Sequence, residues 1–521
     1  MSVLTIKRYS QGICVSTDHH WLAAKLSQFC SELTQRKTVI EHGRFKFVDG
    51  DKYYIHDRKN NEYWFSVRVE QMLLDYISNA NAFTGWTYTI NTVEYKPKKP
   101  HPVDYSGHSL TMIETDPAWT FQNDVVDYAV SKERNHCILE VQTGKGKSKM
   151  SMKVLVRLAC RGMYITKASY LDKWAKELRE MFSFSNTELI KVGSKNDFIN
   201  LIKKGQNKEL DGSYRKPGDC VKIILVSSHI VEDYITDYFN NHPKGWVHPA
   251  KVLEVLGVGQ LGVDETHEYF KKNYIISMVL NPIRLLDMSA TLVPDDDFLK
   301  LRYVERMPLE FRYDKLEYDI YAKAACVFYR IADRTVFRKL NNMRMYNHTE
   351  LEKWILKRKR TTKEYFEFCD KVLDLGFHRD REPQMRALVI FATVEMCVKF
   401  TDYMTEKHPD LTVRKYNQGD NYEEAIEADI VVSTPGKSST AIDIKGLVQV
   451  LNTVASKASQ RQIQILGRAR KLFTWERAPL VSYIACGQII KHREYHEHRL
   501  AIIKPLVTEF VEYRSNRIIG E

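Results

Sequence analysis

The sequence predicts an α/β protein of two tandem lobes, each built on a parallel sheet, behind a small α+β domain. Three observations carry that prediction. The chain has 521 residues, too many for one ordinary core. Strand-length apolar runs alternate with amphipathic stretches in two separate blocks, the pattern of a parallel sheet covered on both faces. A proline- and lysine-rich break, YKPKKPHPVDYSG at residues 95–107, separates those blocks from what precedes them.

Residues 1–107 form the predicted accessory domain. TDHHWLAAKLSQFCSELTQ reads as a helix capped by Thr17 or Asp18. RFKFVDGDKYYIHDRKNNEYWF alternates as a hairpin or meander would, with expected turns at Asp49-Gly50 and Asn60-Asn61. VEQMLLDYISNA reads as a second helix. In the first lobe, residues 108–305, the expected strands are CILEV, GMYIT, VKIILVSS, QLGVDE and IRLLDMSAT. The second lobe, residues 306–521, opens with an expected helical stretch over about 315–375, rich in Tyr, Lys and Arg. Strands follow in ALVIF, ADIVVST, VQVLNTVAS and APLVSYIA.

Composition narrows the function class. A formal net charge of +12 suits a polyanionic partner. The nine cysteines lie far apart with no Cys-x-x-Cys pair, which argues against a zinc or iron–sulfur cluster on thiolates and against a disulfide framework. No segment has the apolar length of a membrane span, and MSVLTIKRYSQG lacks a secretory pattern, so the expected location is the cytoplasm.

The run CILEVQTGKGKSKMSMKVLVRLA sets Gly144-Lys145-Gly146-Lys147-Ser148 between a strand and an amphipathic helix. That context predicts a phosphate-binding loop for ATP, with Thr143 at its edge. Glycines admit an anion against backbone N–H groups, and the helix offers its positive end. Lys147 would reach the β- and γ-phosphates and Ser148 would bind Mg²⁺. Val141 stands where the general pattern has its first glycine. Further on, LGVDETHEY ends a strand in Asp264-Glu265. Asp264 would hold Mg²⁺ and Glu265 would orient and deprotonate the attacking water, while His267 could link the nucleotide site to the second lobe.

With these boxes in place the chain resembles superfamily 2 helicases, whose motifs follow in the same order over about residues 110–480. The resemblance implies two RecA-like lobes. It also implies roles residue by residue. In PAWTFQNDVVDYAV, Gln122 would read adenine; in ITKASYLDKW, Thr166, Lys167 and Trp174 match a nucleic-acid-contacting motif. VSSHI offers Ser228 as a backbone contact, and Ser289 and Thr291 of MSAT would couple hydrolysis to lobe movement. In STPGKSSTAIDIKGL, Thr434, Ser439 and Thr440 are candidate strand contacts and Asp443 a nucleotide-side residue; Ala441 replaces a usual glycine. QILGRARK supplies Gln464 for coupling and Arg468 as the arginine finger. The last arginine position of that box holds Lys471, so Arg470 is taken as the second finger.

Within the superfamily, SSTAIDIKGL and the N-terminal layout are similar to phage recombination and repair helicases of the UvsW type. That resemblance implies an ATP- and Mg²⁺-dependent DNA helicase on branched or forked DNA, moving 3′→5′. RNA as the strand, and a non-hydrolysing clamp, stay open as alternatives. Three further features fall outside the motifs. The run Lys357-Arg358-Lys359-Arg360 reads equally as a duplex contact or a solvated helix face. Tyr53, Tyr54, Tyr63, Trp64 and Phe65 read as core, and Asp49-Gly50-Asp51-Lys52 as a turn without nuclease chemistry.

Overall fold

The computed structural model describes residues 2–41, 44–82, 87–100, 102–110, 112–142, 144–211, 220–290, 292, 294, 296–313, 318–342, 346–379, 381–417, 420–438, 444–469 and 476–521. It has two compact units. One comprises residues 1–141, 145–292 and 296–316; the other comprises residues 317–521 with the short segments 142–144 and 293–295.

The first unit opens with β1 (Ser2–Arg8), β2 (Gly12–Thr17), β3 (Thr34–Glu41), β4 (Arg44–Lys52), β5 (Ile55–Asp57), β6 (Glu62–Ser66) and β7 (Tyr88–Glu94). Five of them form a mixed sheet in the order β5-β6-β2-β1-β7, while β3 and β4 pair only with each other. Helices His20–Phe29 and Glu70–Asn81 match the two expected. The first has no side-chain cap; the Thr17 hydroxyl accepts from His19 N–H (3.2 Å) and donates to Val3 O (2.7 Å). The Asn60-Asn61 turn forms between β5 and β6, but β4 runs straight through Asp49-Gly50. Gly50 serves close approach instead: a Cβ there would lie 2.8 Å from Lys37 Cε on the paired strand. Tyr53, Tyr63, Trp64 and Phe65 are buried, as core residues.

The same unit continues with β8 (His136–Glu140), β9 (Arg161–Thr166), β10 (Leu189–Lys191), β11 (Ile223–Ser227), β12 (Val258–Val263), β13 (Arg284–Ser289) and β14 (Arg312–Tyr313). They make a wholly parallel sheet ordered β10-β11-β9-β12-β13-β8-β14. The central strands are mostly apolar because helices cover both faces; every residue of β9, β11 and β12 is buried, including Arg161, Thr166, Ser227 and Gln260. Leu171–Phe182 is one covering helix. It turns Leu171, Trp174, Ala175, Leu178 and Phe182 inward at helical spacing and leaves its charges outside.

One continuous core joins the N-terminal sheet to this lobe. Tyr53 packs on Phe270, Tyr274 and Phe298, and Trp64 on Phe239. Buried Asp57 accepts from His242 Nε2 at 2.8 Å. Gly12 lets β2 touch helix Phe270–Leu280, since a Cβ would fall 2.0 Å from Met278 O.

The second unit holds β15 (Lys323–Ile331), β16 (Arg386–Ile390), β17 (Val413–Tyr416), β18 (Ile430–Ser433), β19 (Leu447–Asn452), β20 (Leu480–Cys486) and β21 (Glu509–Ile519). These also form a parallel sheet, ordered β17-β18-β16-β19-β20-β15-β21. The stretch expected to be helical is therefore corrected at its start: KAACVFYRI is β15, an inner strand between β20 and β21. Helices Arg334–Asn341, His348–Leu356 and Lys359–Leu373 follow it. The basic run Lys357–Arg360 spans the junction of the last two and is exposed. Among the described residues, no helix is long and apolar enough to cross a membrane.

Candidate functional site

The glycine–lysine loop, expected to bind phosphate, leaves the carboxyl end of β8 and enters helix Lys147–Leu158. Gly144 (φ +88°) and Gly146 (φ +79°) adopt the left-handed backbone that favours glycine. A Cβ on Gly146 would also meet Gln122 Nε2 at 2.6 Å. Strand order explains the rest of the site. β13 lies between β8 and β12, so Ser289 at its end separates the loop from the Asp264-Glu265 turn that follows β12.

Lys147 Nζ donates to Glu265 Oε1 at 2.8 Å, bridging that gap. Glu265 takes φ +45°, an unusual backbone for a non-glycine residue, at the turn carrying both carboxylates. Asp264 is held from behind: Trp174 Nε1 donates to its Oδ2 at 2.9 Å and Thr166 Oγ1 lies 3.5 Å away. Burial and the neighbouring Glu265 charge push the Asp264 carboxyl up to about 6, against Lys147 and the Trp174 N–H, which lower it. His267 Nδ1 lies 2.7 Å from Ser289 Oγ, and burial lowers its pKa, favouring the neutral imidazole. Asn273 braces the turn, donating to Thr266 O (3.2 Å) and Glu268 O (2.8 Å). Below it, Thr266 Oγ1, His136 Nε2 and Arg306 Nη1 converge on buried Asp287.

These residues fit a nucleotide and its Mg²⁺. The cradle is lined by glycine backbone, and a lysine from the loop already holds an anionic oxygen. Ser148 in the first helical turn and Asp264 offer the oxygens that Mg²⁺ prefers.

Three of the expected site side chains are buried. Gln122 is buried, its Nε2 donating to Lys145 O (3.2 Å) and its Oε1 accepting from Lys153 Nζ (3.4 Å). Gln122 thus braces the loop through one amide N–H and one contact to its oxygen. Lys153, fully buried, also meets Glu114 Oε1 at 2.6 Å, which stiffens the loop helix from below. Ser228 is buried with its hydroxyl donating to Asn273 Oδ1 (2.9 Å), and Thr166 is buried beside Asp264. The hydroxyls of Ser228 and Thr166, expected as strand contacts, are engaged with interior partners in this structure.

What does reach solvent at the carboxyl ends of β9, β11 and β12 is a basic and aromatic patch. Lys167 Nζ lies 3.5 Å from Glu268 Oε2 and 6.0 Å from the ring centroid of Tyr269. The exposed Tyr269 ring meets the His229 ring edge-on at 4.6 Å. Burial raises Glu268 to about 7, against the Lys167 charge. Tyr269, His229 and Trp174's hold on Asp264 were not anticipated. The Trp in LDKW gave a signal, but one that read as a strand contact.

In the second unit, Thr434 follows β18 and is half-buried. Gln464 lies on helix Ser459–Leu466, and Arg468 follows it, its N–H donating to Ile465 O (3.1 Å); both are half-buried. Thr143, Thr291, Ser439, Thr440, Asp443 and Arg470 lie outside the described residues.

No protein-family profile matches the sequence, and no curated protein matches it. Solved structures do. The structure titled "Structure of Mss116p (NTE and C-tail double deletion) bound to ssRNA and AMP-PNP" aligns over 80% of this chain and 82% of its own, with a TM-score of 0.50 and 14% identity. The structure titled "The crystal structure of T4 UvsW" aligns over 98% of this chain and 99% of its own, with a TM-score of 0.30 and 14% identity. The fold of this chain is two tandem RecA-like lobes preceded by a small α+β sheet.

Proposed function

We propose that this chain is a nucleic-acid-dependent ATPase that works as a helicase or translocase on branched or forked DNA, in recombination, repair or replication restart. The observation that carries the proposal is the Lys147–Glu265 contact at 2.8 Å, with Asp264 one residue before Glu265 and held by Trp174. It brings a lysine and two carboxylates together at the carboxyl ends of inner parallel strands, which supports a phosphate-binding, a water-orienting and a metal-holding role for them.

Each group has a task in phosphoryl transfer. Bound Mg²⁺ would supply charge neutralisation on the phosphate oxygens. Ser148 and Asp264 would hold it. Lys147 would exchange its Glu265 partner for phosphate oxygens, leaving the Glu265 carboxylate to orient and deprotonate water. His267, kept neutral by burial, passes the state of that turn to Ser289 through their 2.7 Å hydrogen bond. Arg468 is proposed as the arginine finger, with Arg470 second. Lys167, Thr434, Ser439 and Thr440 are proposed strand contacts, and Asp443 a nucleotide-side residue. The +12 net charge supports a phosphate-backbone grip, which is largely independent of sequence. Movement 3′→5′ and a cytoplasmic location belong to the same proposal and rest on the sequence resemblance.

RNA is the second reading, favoured by one observation: the neighbour with the TM-score of 0.50 is titled as bound to ssRNA. ATP turnover measured with DNA and with RNA of the same sequence distinguishes the two. DNA-stimulated turnover that is lost in Lys147→Ala and Glu265→Gln is the expected result. Full turnover in both variants would overturn the motor mechanism.

A further inference from the structure

Far from the nucleotide residues in sequence, the second unit brings two imidazoles onto one carboxylate. Asp370 lies on helix Lys359–Leu373, His378 ends the turn that follows it, and His408 caps helix Val394–Lys407. His378 Nε2 is 2.9 Å from Asp370 Oδ1, and His408 Nε2 is 3.0 Å from the same oxygen. The two rings stack with centroids 4.8 Å apart and planes at 23°. Among the described residues these three are the one group of His, Cys, Asp or Glu whose ligand atoms all lie within 4.8 Å of one another.

The backbone is built to make this meeting. Eight residues along an α-helix would carry His378 roughly 12 Å up the axis from Asp370. Instead, Asp374–His378 forms a π-helical turn, a rare element that recurs at functional sites. The turn is anchored on the sheet. Gln449 Nε2 of β19 donates to Val372 O at 3.0 Å, and Gly376 packs so closely that a Cβ would lie 3.2 Å from Leu480 of β20. Neither the chemistry proposed for the nucleotide residues nor a solvated helix end calls for this turn.

We propose that Asp370, His378 and His408 bind one divalent transition-metal ion, for which zinc is the best fit. Two imidazole nitrogens and one carboxylate oxygen form a familiar three-ligand zinc set that leaves a fourth position for water. Ligands at zinc bonding distances sit ~3.3 Å apart in a tetrahedron; the two imidazole–carboxylate distances, 2.9 and 3.0 Å, fall a few tenths of an ångström short of that, and the two nitrogens lie within 4.8 Å of each other. Lys407 Nζ donates to Asp370 Oδ2 at 2.7 Å, which leaves Oδ1 as the metal-facing oxygen and orients the carboxylate from outside. Asp370 and Lys407 also line an open cleft of about 810 Å³, giving an ion a path to the carboxylate. Bound there, the ion ties the π-helical turn to the end of helix Val394–Lys407.

The competing arrangement is a metal-free cluster in which both Nε2–H groups donate to Asp370. Glutamine separates the two, because its amide N–H₂ can replace the imidazole donor but cannot ligate zinc. The experiment titrates the full chain with Zn²⁺ against a chromophoric chelator, with Mg²⁺ in excess, and repeats it for His378→Gln and His408→Gln. Co²⁺ loading is read by absorption. The expected result is one Zn²⁺ per wild-type chain, a Co²⁺ spectrum without thiolate charge-transfer bands, and a higher melting temperature with zinc. Each variant should bind at least tenfold more weakly while its zinc-free melting temperature stays that of the wild type. No binding by the wild type, unchanged affinity in both variants, or a thiolate band placing the ion on cysteine would overturn the proposal.

Discussion

Replacing Trp174 with Phe isolates one hydrogen bond at the proposed Mg²⁺ carboxylate. The indole N–H lies 2.9 Å from Asp264 Oδ2, and the ring is 96% buried beside Tyr164 with centroids 5.4 Å apart. Phenylalanine keeps most of the packing and removes the donor. Groups that orient a metal-binding carboxylate from behind contribute ~10–100-fold to metal affinity, equivalent to about 1.4–2.7 kcal/mol. The free Mg²⁺ needed for half-maximal ATP turnover should therefore rise by roughly that factor, with turnover restored at saturating Mg²⁺.

The pH dependence adds a second readout. A proton competes with the metal for Asp264, whose carboxyl is pushed up to about 6 by burial and by Glu265. In the wild type, Mg²⁺ half-saturation should be flat above that pH and climb as pH falls below it. The Trp174 N–H is one of the groups lowering this carboxyl, so its loss moves the climb to higher pH. Unchanged Mg²⁺ half-saturation in a folded variant would refute the reasoning. So would a turnover defect that saturating Mg²⁺ leaves in place, which would put Trp174 in the grip on the strand.

Two further predictions concern the scaffold. Gly12→Ala forces a Cβ to within 2.0 Å of Met278 O, so the N-terminal sheet should lose its seat on helix Phe270–Leu280 at a cost of ~1–3 kcal/mol; a urea denaturation curve identical to wild type would count against that docking. Arg306→Leu strips the guanidinium from Asp287, which is fully buried beneath the Thr266 turn, and should destabilise the first unit by ~3–5 kcal/mol in the same assay. A smaller loss than that of an exposed arginine such as Arg157 would contradict the buried-pair account.

Local chemistry made much of this legible before any tertiary contact was known. Gly144 and Gly146 stand at a strand–helix junction beside Lys147, where the chain takes the left-handed backbone that glycine adopts readily. The mostly apolar β9, β11 and β12 announce a doubly covered sheet, because the few polar side chains along them must find partners inside it. Where periodicity pointed the wrong way, burial pattern was the reason. KAACVFYRI lies next to a helical, charge-rich segment, and only its place between β20 and β21 makes it a strand. Asp49-Gly50 has turn composition, yet the Lys37 stem across the β-ribbon explains the glycine.

Side-chain direction was decided in three dimensions alone. Ser228 is serine in a loop-like string, but Asn273, 45 residues later, takes its hydroxyl inward. Gln122 is the expected base reader, and only the structure shows its amide also bracing the loop through Lys145 and Lys153. The sequence by itself determined a glycine–lysine loop at a strand–helix junction and an Asp-Glu pair at a strand end, in two α/β lobes, since those depend on residue type and near neighbours. Only the tertiary structure decided which polar groups face a ligand and which face each other, because that choice depends on partners brought from strands and helices far along the chain.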